Sequence, residues 1–146
     1  MADAAPPRAG LRISRQHTLV LFPELAELVR LTAWADEIGQ KLALSMQRLY
    51  ALQLCLQELA ATVIVNAKPR VNLPMSIVVT LIPRQDGLEV RMEHNGERCD
   101  RAESVHASGD DSVIAPPALQ LTHRFGRNIT IDHTDDQHRI TLLLPG

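Results

Sequence analysis

A single carboxylate stands within an apolar stretch of this sequence. Glu58 lies between Leu52 and Asn66, among residues that are otherwise suited to burial. Glu58, Thr62 and Asn66 follow one another at steps of four, so a helix would place them in one polar line. Because burying an unpaired charge is costly, Glu58 either faces solvent or has a partner or a chemical role. The helix itself is predicted by apolar residues at steps of three and four, namely Leu49, Leu52, Leu56, Leu59 and Val63.

A second group of chemistry-bearing residues occupies the polar segment that follows His94. His94, Cys99 and His106, with Asp100 beside Cys99, resemble a set of metal ligands in type. Their spacing matches no recognised zinc pattern, so we assign no metal to them.

Other catalytic patterns are missing from the sequence. It contains neither a Ser-centred elbow nor a Walker-type loop, and Cys55 and Cys99 lack the local signature of a nucleophile. The two cysteines lie far apart in unlike settings, which indicates free thiols and a reducing cytoplasm. Three further histidines are predicted to be solvated surface residues, namely His123, His133 and His138.

Length and composition limit the possible classes of protein. A chain of 146 residues with 45% hydrophobic content is suited to one domain, which we place at residues 12–146 after a flexible arm at residues 1–11. The net charge of -2 and the aromatic content of 3% argue against nucleic acid as a partner. No uninterrupted apolar run approaches the roughly 20 residues of a membrane span, so we expect a soluble protein that does not bind membranes.

The elements that must position these residues can be placed along the chain. We expect a strand from His17 to Phe22, then a helix that begins at Pro23 and carries the apolar stripe Leu25, Leu28, Leu31, Ala35 and Ile38. The Glu58 helix runs from Ser45 to Ala67 and ends before Pro69. A hairpin turns at Gln85-Asp86-Gly87, a short helix spans Pro117 to Phe125, and strands at Asn128 to His133 and Arg139 to Leu144 close the chain.

This order of elements predicts the α+β class. We expect a two-layer α/β sandwich in which helices pack on one face of a mixed, mostly antiparallel sheet. The long polar segment from Asn95 to Ser112 is expected to lie near a functional site.

From His17 to Pro145 the arrangement resembles the GHKL, or Bergerat-fold, ATPases, and in particular their RsbW-like branch of anti-sigma factors and serine-protein kinases. That family carries Glu-x-x-x-Asn on a long helix, and Glu58 matches its glutamate. The stretch from His94 to Asp100 is similar to the family's Asp-x-Gly and Phe-Asp-Pro segment, with Gly96 and Asp100 retained. Thr141 matches a threonine of the closing strand. The resemblance implies a nucleotide pocket formed by Thr62, Asn66, His94, Gly96, Asp100 and Thr141.

The sequence departs from this family where the family touches metal and nucleotide. Thr62 replaces the magnesium-binding asparagine, and His94 replaces the adenine-reading aspartate. The phosphate-binding glycines are replaced by Ala115-Pro116-Pro117, and two prolines remove two N–H donors there. Together these changes predict impaired or lost ATP binding.

The resemblance therefore implies a cytoplasmic regulator that binds a sigma factor or a STAS-type anti-anti-sigma factor by partner switching, without a cofactor. It also implies homodimerisation, and protein contacts on the first helix at Leu31, Trp34 and Ile38. One alternative is an active kinase of the RsbW type that uses Mg-ATP, with Glu58 as general base. Another is a domain that binds a small ligand in the remnant pocket, anchored by His94 and Glu58.

Overall fold

The computed structural model describes residues 15–97, 119–134 and 136–146. The predicted arm at residues 1–11 lies outside this part of the chain, as do Cys99, Asp100, His106 and the prolines at 116 and 117. The elements are β1 (His17–Leu21), α1 (Glu27–Lys41), α2 (Met46–Asn66), β2 (Ile77–Arg84), β3 (Gly87–His94), α3 (Gln120–Phe125), β4 (Arg127–His133) and β5 (His138–Pro145).

The five strands form one sheet in the order β1-β2-β3-β5-β4. All four pairings are antiparallel. The α+β class is confirmed, but the described strands contain no parallel pair, so the expected mixed sheet is corrected to an antiparallel one. Short connections within β2–β3 and β4–β5 explain two of these four pairings, because a tight hairpin can join only antiparallel strands.

One face of the sheet packs against the helices. On β3, Leu88, Val90 and Met92 are buried and alternate with the charged residues that face the other side. The inward residues of the strands share one apolar core with α1 and α2, which include Leu31 and Leu56. The opposite face carries ion pairs between Glu89 and two arginines, Arg84 and Arg91, and between Glu93 and Arg139.

Helix α1 begins four residues later than predicted, at Glu27 instead of Pro23. The stretch before it forms turns, and Leu25 is 56% exposed. The contact surface expected at Leu31 and Ile38 is also corrected, because these residues are 0% and 3% exposed and belong to the core. Trp34 is partly buried against the same core.

Helix α2 is the central helix of the fold. Ser45 caps it, with Oγ accepting a hydrogen bond from Arg48 N at 3.2 Å, and the helix ends at Asn66. An 18-residue window of this 21-residue helix has a mean hydropathy of 1.3, so by length and composition alone the helix could span a membrane. Leu52, Leu56 and Leu59 are buried in the sandwich core, and a core helix of a soluble protein has the same composition.

Candidate functional site

The Glu58 carboxylate binds the backbone at the start of α3. Its Oε2 accepts a hydrogen bond from Leu121 N at 3.0 Å, and its Oε1 accepts one from Thr122 N at 2.7 Å. These amides belong to the first turn of α3, whose N-cap residue Leu119 supplies no side-chain cap. Glu58 therefore supplies from α2 the acceptors that the start of α3 requires, and it joins the two helices.

Thr62 and Asn66 form hydrogen bonds to the backbone of their own helix. Thr62 Oγ1 donates to the Glu58 carbonyl at 2.8 Å, and Asn66 Nδ2 donates to the Thr62 carbonyl at 2.9 Å. Hydroxyl groups in helices commonly bond in this way to the preceding turn. The polar line predicted on this helix is present.

A small pocket lies between α2 and the ends of β3, β4 and β5. Its free volume is about 50 Å³. Thr62 and His94 line it, so the structure brings these two predicted site residues together. Glu58 is not among the lining residues, which are Leu59, Thr62, Val63, Met92, His94, Leu119, Ile131, His133, His138, Arg139 and Ile140.

His94 is the buried polar residue of this pocket. Its side chain is 5% exposed, and Nδ1 accepts a hydrogen bond from Gly96 N at 3.2 Å. Burial, reinforced by the neighbouring His138, His133 and Arg70, lowers the pKa of His94 to about 4. At neutral pH the ring is therefore uncharged, and because Nδ1 is the acceptor its proton is assigned to Nε2.

Gly96 is confined by the chain on either side of it. A Cβ at this position would lie 2.8 Å from the carbonyl oxygen of Lys68 and 2.8 Å from Sδ of Met75. The next residue, Glu97, donates its N–H to the same Lys68 carbonyl at 2.6 Å. Gly96 thus allows the segment after β3 to approach the C-terminal end of α2.

A chain of hydrogen bonds links Arg70, His138 and His133. Arg70 Nη2 lies 3.3 Å from His138 Nε2, and His138 Nδ1 lies 2.7 Å from His133 Nδ1. An arginine can only donate, so Nε2 of His138 is assigned as an acceptor and its proton to Nδ1. His138 then donates to His133. The ring centroids of His94 and His138 are 5.0 Å apart, which joins this chain to His94.

The prediction that His138 is a surface residue was wrong, since it is 7% exposed. His123 and His133 are exposed, as predicted. The burial of His138 had a signal in the sequence, because Leu142 and Leu144 follow it at even spacing on β5 and face the core. The contact of Arg70 with His138 had no such signal, because Arg70 lies in an irregular segment.

Thr141 lies on the other face of the sheet from His94. It pairs with Arg91 on β3 and Thr130 on β4, whereas His94 pairs with His138. Since neighbouring residues on a strand point to opposite faces, the structure does not bring Thr141 to the pocket. Asp100 lies outside the described residues.

The described residues include a free thiol and no metal-binding group. Among residues 15–97, 119–134 and 136–146, no three His, Cys, Asp or Glu side chains are grouped to hold a metal ion. Cys55 is a buried free thiol whose Sγ lies 3.8 Å from the Leu121 carbonyl. Burial, with a smaller effect of Glu58, raises its pKa to about 12, so at neutral pH it is not a thiolate nucleophile.

No protein-family model matches this chain, and a search of curated proteins found no match.

Proposed function

We propose that this chain is a cytoplasmic regulatory protein of the RsbW-like anti-sigma-factor type, which acts by binding a protein partner and has no ATP chemistry. The partner would be a sigma factor or a STAS-type anti-anti-sigma factor. The observation that carries the proposal is the use of both Glu58 oxygens as acceptors for the Leu121 and Thr122 amides.

A kinase of this type needs a carboxylate that can take a proton from the attacking hydroxyl. In this chain the matching carboxylate already accepts two backbone hydrogen bonds, of 2.7 and 3.0 Å, from the first turn of α3. Turning it toward a substrate would leave two amides of α3 without their acceptor. This arrangement supports a structural role for Glu58 in place of a catalytic one.

The pocket beside Thr62 and His94 supports the same proposal. Its free volume of about 50 Å³ is far below the roughly 300–1,000 Å³ of ordinary ligand pockets. A neutral imidazole with its one acceptor nitrogen already bonded to Gly96 N also cannot offer two oxygens to an adenine amino group. Both features disfavour a nucleotide at the residues that the family resemblance assigned to it.

An exposed apolar surface offers a place for a protein partner. Phe22, Leu25 and Val29 lie before and within the first turn of α1 and are 65%, 56% and 77% exposed. Large apolar side chains grouped on a surface are typical of interaction sites. This group takes the place of Leu31 and Ile38 as the expected contact surface on α1.

The test is direct binding to purified sigma factors and STAS proteins encoded by the same genome, measured by fluorescence anisotropy. We expect saturable binding to at least one of them, weakened about tenfold or more by Val29→Glu, because charge at an apolar contact is strongly unfavourable. Val71→Glu changes another strongly exposed valine, which lies outside α1, and is expected to leave binding unchanged. Absence of binding to every candidate would contradict the proposal.

Thermal unfolding with Mg-ATP or Mg-ADP tests the kinase alternative. A ligand that binds at about 100 times its Kd adds roughly 2.7 kcal/mol to the free energy of unfolding and so raises the Tm. We expect no magnesium-dependent change in the Tm of this protein. A clear change, followed by phosphate transfer to a STAS protein that Glu58→Gln abolishes, would establish the kinase. A change that does not need magnesium would favour the small-ligand alternative.

A further inference from the structure

A larger pocket lies at the other end of the sandwich from His94. Its volume is about 300 Å³, and it is bounded by the start of α2, the end of α3 and the ends of β3 and β5. Leu88, which lines it, and His94 stand at opposite ends of β3. The lining residues are Leu44, Gln47, Arg48, Ala51, Leu88, Phe125, Leu144 and Pro145.

Arg48 is the one charged side chain among these lining residues. Its Nε is buried and has no hydrogen-bond partner. Within the described part of the chain, no carboxylate forms an ion pair with its guanidinium. The pocket thus presents a guanidinium that no carboxylate of the described residues neutralises, and a cation on an otherwise apolar lining favours an anion as its partner.

The remaining lining is mostly apolar. Leu44, Leu88, Phe125 and Leu144 present aliphatic and aromatic carbon to the cavity, and Gln47 is the uncharged polar residue at its edge. A pocket of this volume, at the lower end of the usual range, holds a small molecule. The ligand that suits this lining therefore combines an apolar body with one negative group.

We propose that this pocket binds a small amphiphilic carboxylate, with its carboxylate on Arg48 and its carbon chain or ring between α2 and the ends of β3 and β5. The planar guanidinium matches the two oxygens of a carboxylate, and a single cation balances a single negative charge. A phosphate dianion would leave one charge without a cation in this lining. The site is separate from the residues on which the proposed function rests.

The experiment uses octanoate as the probe. Two comparison ligands each keep one of its features: 1-octanol has the carbon chain without the charge, and acetate has the carboxylate without the long chain. Calorimetric titration of the full chain is expected to show saturable octanoate binding that is tighter than that of either comparison ligand. Arg48→Met should weaken octanoate about tenfold or more and leave 1-octanol unchanged, because only the charge-assisted hydrogen bonds are lost. Arg84→Met, which changes an exposed arginine already paired with Glu89, is the matched control and should bind octanoate normally.

A second variant tests the cavity itself. Ala51→Leu puts a larger side chain into the pocket and is expected to abolish binding of both octanoate and 1-octanol, while circular dichroism confirms that the protein remains folded. The proposal is overturned if octanoate does not bind, if 1-octanol binds as tightly as octanoate, or if Arg48→Met leaves the octanoate affinity unchanged. Retention of octanoate binding by folded Ala51→Leu would also overturn it.

Discussion

Glu58 joins α2 to α3 through two charge-assisted hydrogen bonds, to Leu121 N and Thr122 N. At the scale of a residue, this explains how an ionised side chain is accommodated beside the buried stripe of an apolar helix. Carboxylates near the start of a helix are also favoured by its positive end, so both the amides and the helix dipole hold the charge.

Replacing Glu58 by Gln tests this contribution to stability. Gln keeps one acceptor oxygen but loses the charge and the second acceptor, so we expect the free energy of unfolding to fall by about 1–2 kcal/mol. Urea denaturation measures the change. Glu37→Gln is the control, since Glu37 forms an exposed pair with Lys41 at 3.4 Å and such pairs contribute little. Equal losses in the two variants would contradict the assigned role.

His94 is expected to make stability depend on pH. Its pKa is lowered to about 4 in the folded protein from its ordinary value of 6.5. Below pH 6.5 the unfolded chain takes up a proton that the folded protein resists until about pH 4, so stability falls across this window, by up to about 3 kcal/mol. Above pH 6.5 both states are neutral at this residue, so His94 causes no loss of stability there.

The measurement is urea denaturation of wild type and His94→Asn at several pH values between 4 and 7. Asn retains an acceptor for Gly96 N but does not titrate, so its stability should vary less with pH. His17→Asn, on edge strand β1, is expected to keep the wild-type slope. An unchanged slope in His94→Asn would show that other groups cause the acid sensitivity.

Glu58 and His94 illustrate which parts of the site the sequence could predict. It indicated that Glu58 either faces solvent or has a partner or a chemical role, because a charge within an apolar helix is unusual. It could not identify the partners, since they are backbone amides more than 60 residues away along the chain, and an amide carries no side-chain signal. The grouping of His94 with His138 likewise depends on a strand register that only the folded sheet defines.

At the scale of an element, the β2–β3 hairpin depends on Gly87. Gly87 has a φ of +153°, and a Cβ there would lie 2.1 Å from the Leu144 carbonyl oxygen on β5. The turn at Gln85 and Asp86 therefore requires a residue without a side chain, both for its backbone and for the approach of β5.

Gly87→Ala is expected to lower the free energy of unfolding by at least about 2 kcal/mol, because it combines backbone strain with a steric clash. Chemical denaturation would measure this. Gly146→Ala provides a nearby control, since its added Cβ would find its nearest neighbour at 3.6 Å, an ordinary contact. Similar stability of Gly87→Ala and wild type would mean that this hairpin adapts freely.

The elements with strong local signals were predicted closely. The limits of α2 follow from the cap at Ser45 and the proline at Pro69, and the first hairpin follows from its Asp-Gly turn. The start of α1 was misplaced because Pro23 and Glu24 also suit a turn. There the decisive contact is made by Glu27, whose carboxylate accepts Phe22 N at 2.9 Å before the helix proper begins.

At the scale of the whole molecule, β1 is an edge strand of the sheet. Such an edge carries backbone groups that another chain could pair with. Here the Val20 carbonyl accepts a hydrogen bond from Arg30 Nη2, and immediately after the strand the Phe22 N–H donates to Glu27. Glu27 and Arg30 also pair with each other at 2.9 Å, which lowers the pKa of Glu27 to about 2.

Loss of this pair should expose the edge. We expect Arg30→Ala to increase self-association, detected by analytical ultracentrifugation as a concentration-dependent rise in mass, since Val20 O becomes free to pair. Lys41→Ala removes a similar exposed pair at the far end of α1 and should behave as wild type. If Arg30→Ala and Lys41→Ala have the same mass at every concentration, the pair does not protect the edge.

The Glu27–Arg30 pair makes the protection of the sheet edge electrostatic and therefore adjustable by the solvent. Its arginine side chain is 48% exposed, and dissolved ions screen such a pair increasingly once the Debye length falls from about 10 Å at 0.1 M salt to about 3 Å at 1 M. A kosmotropic salt such as sulfate also strengthens contacts between exposed apolar side chains such as Phe22 and Val29. Added salt of this kind should therefore promote association at the β1 edge, because it weakens the Glu27–Arg30 pair and strengthens apolar contacts beside it.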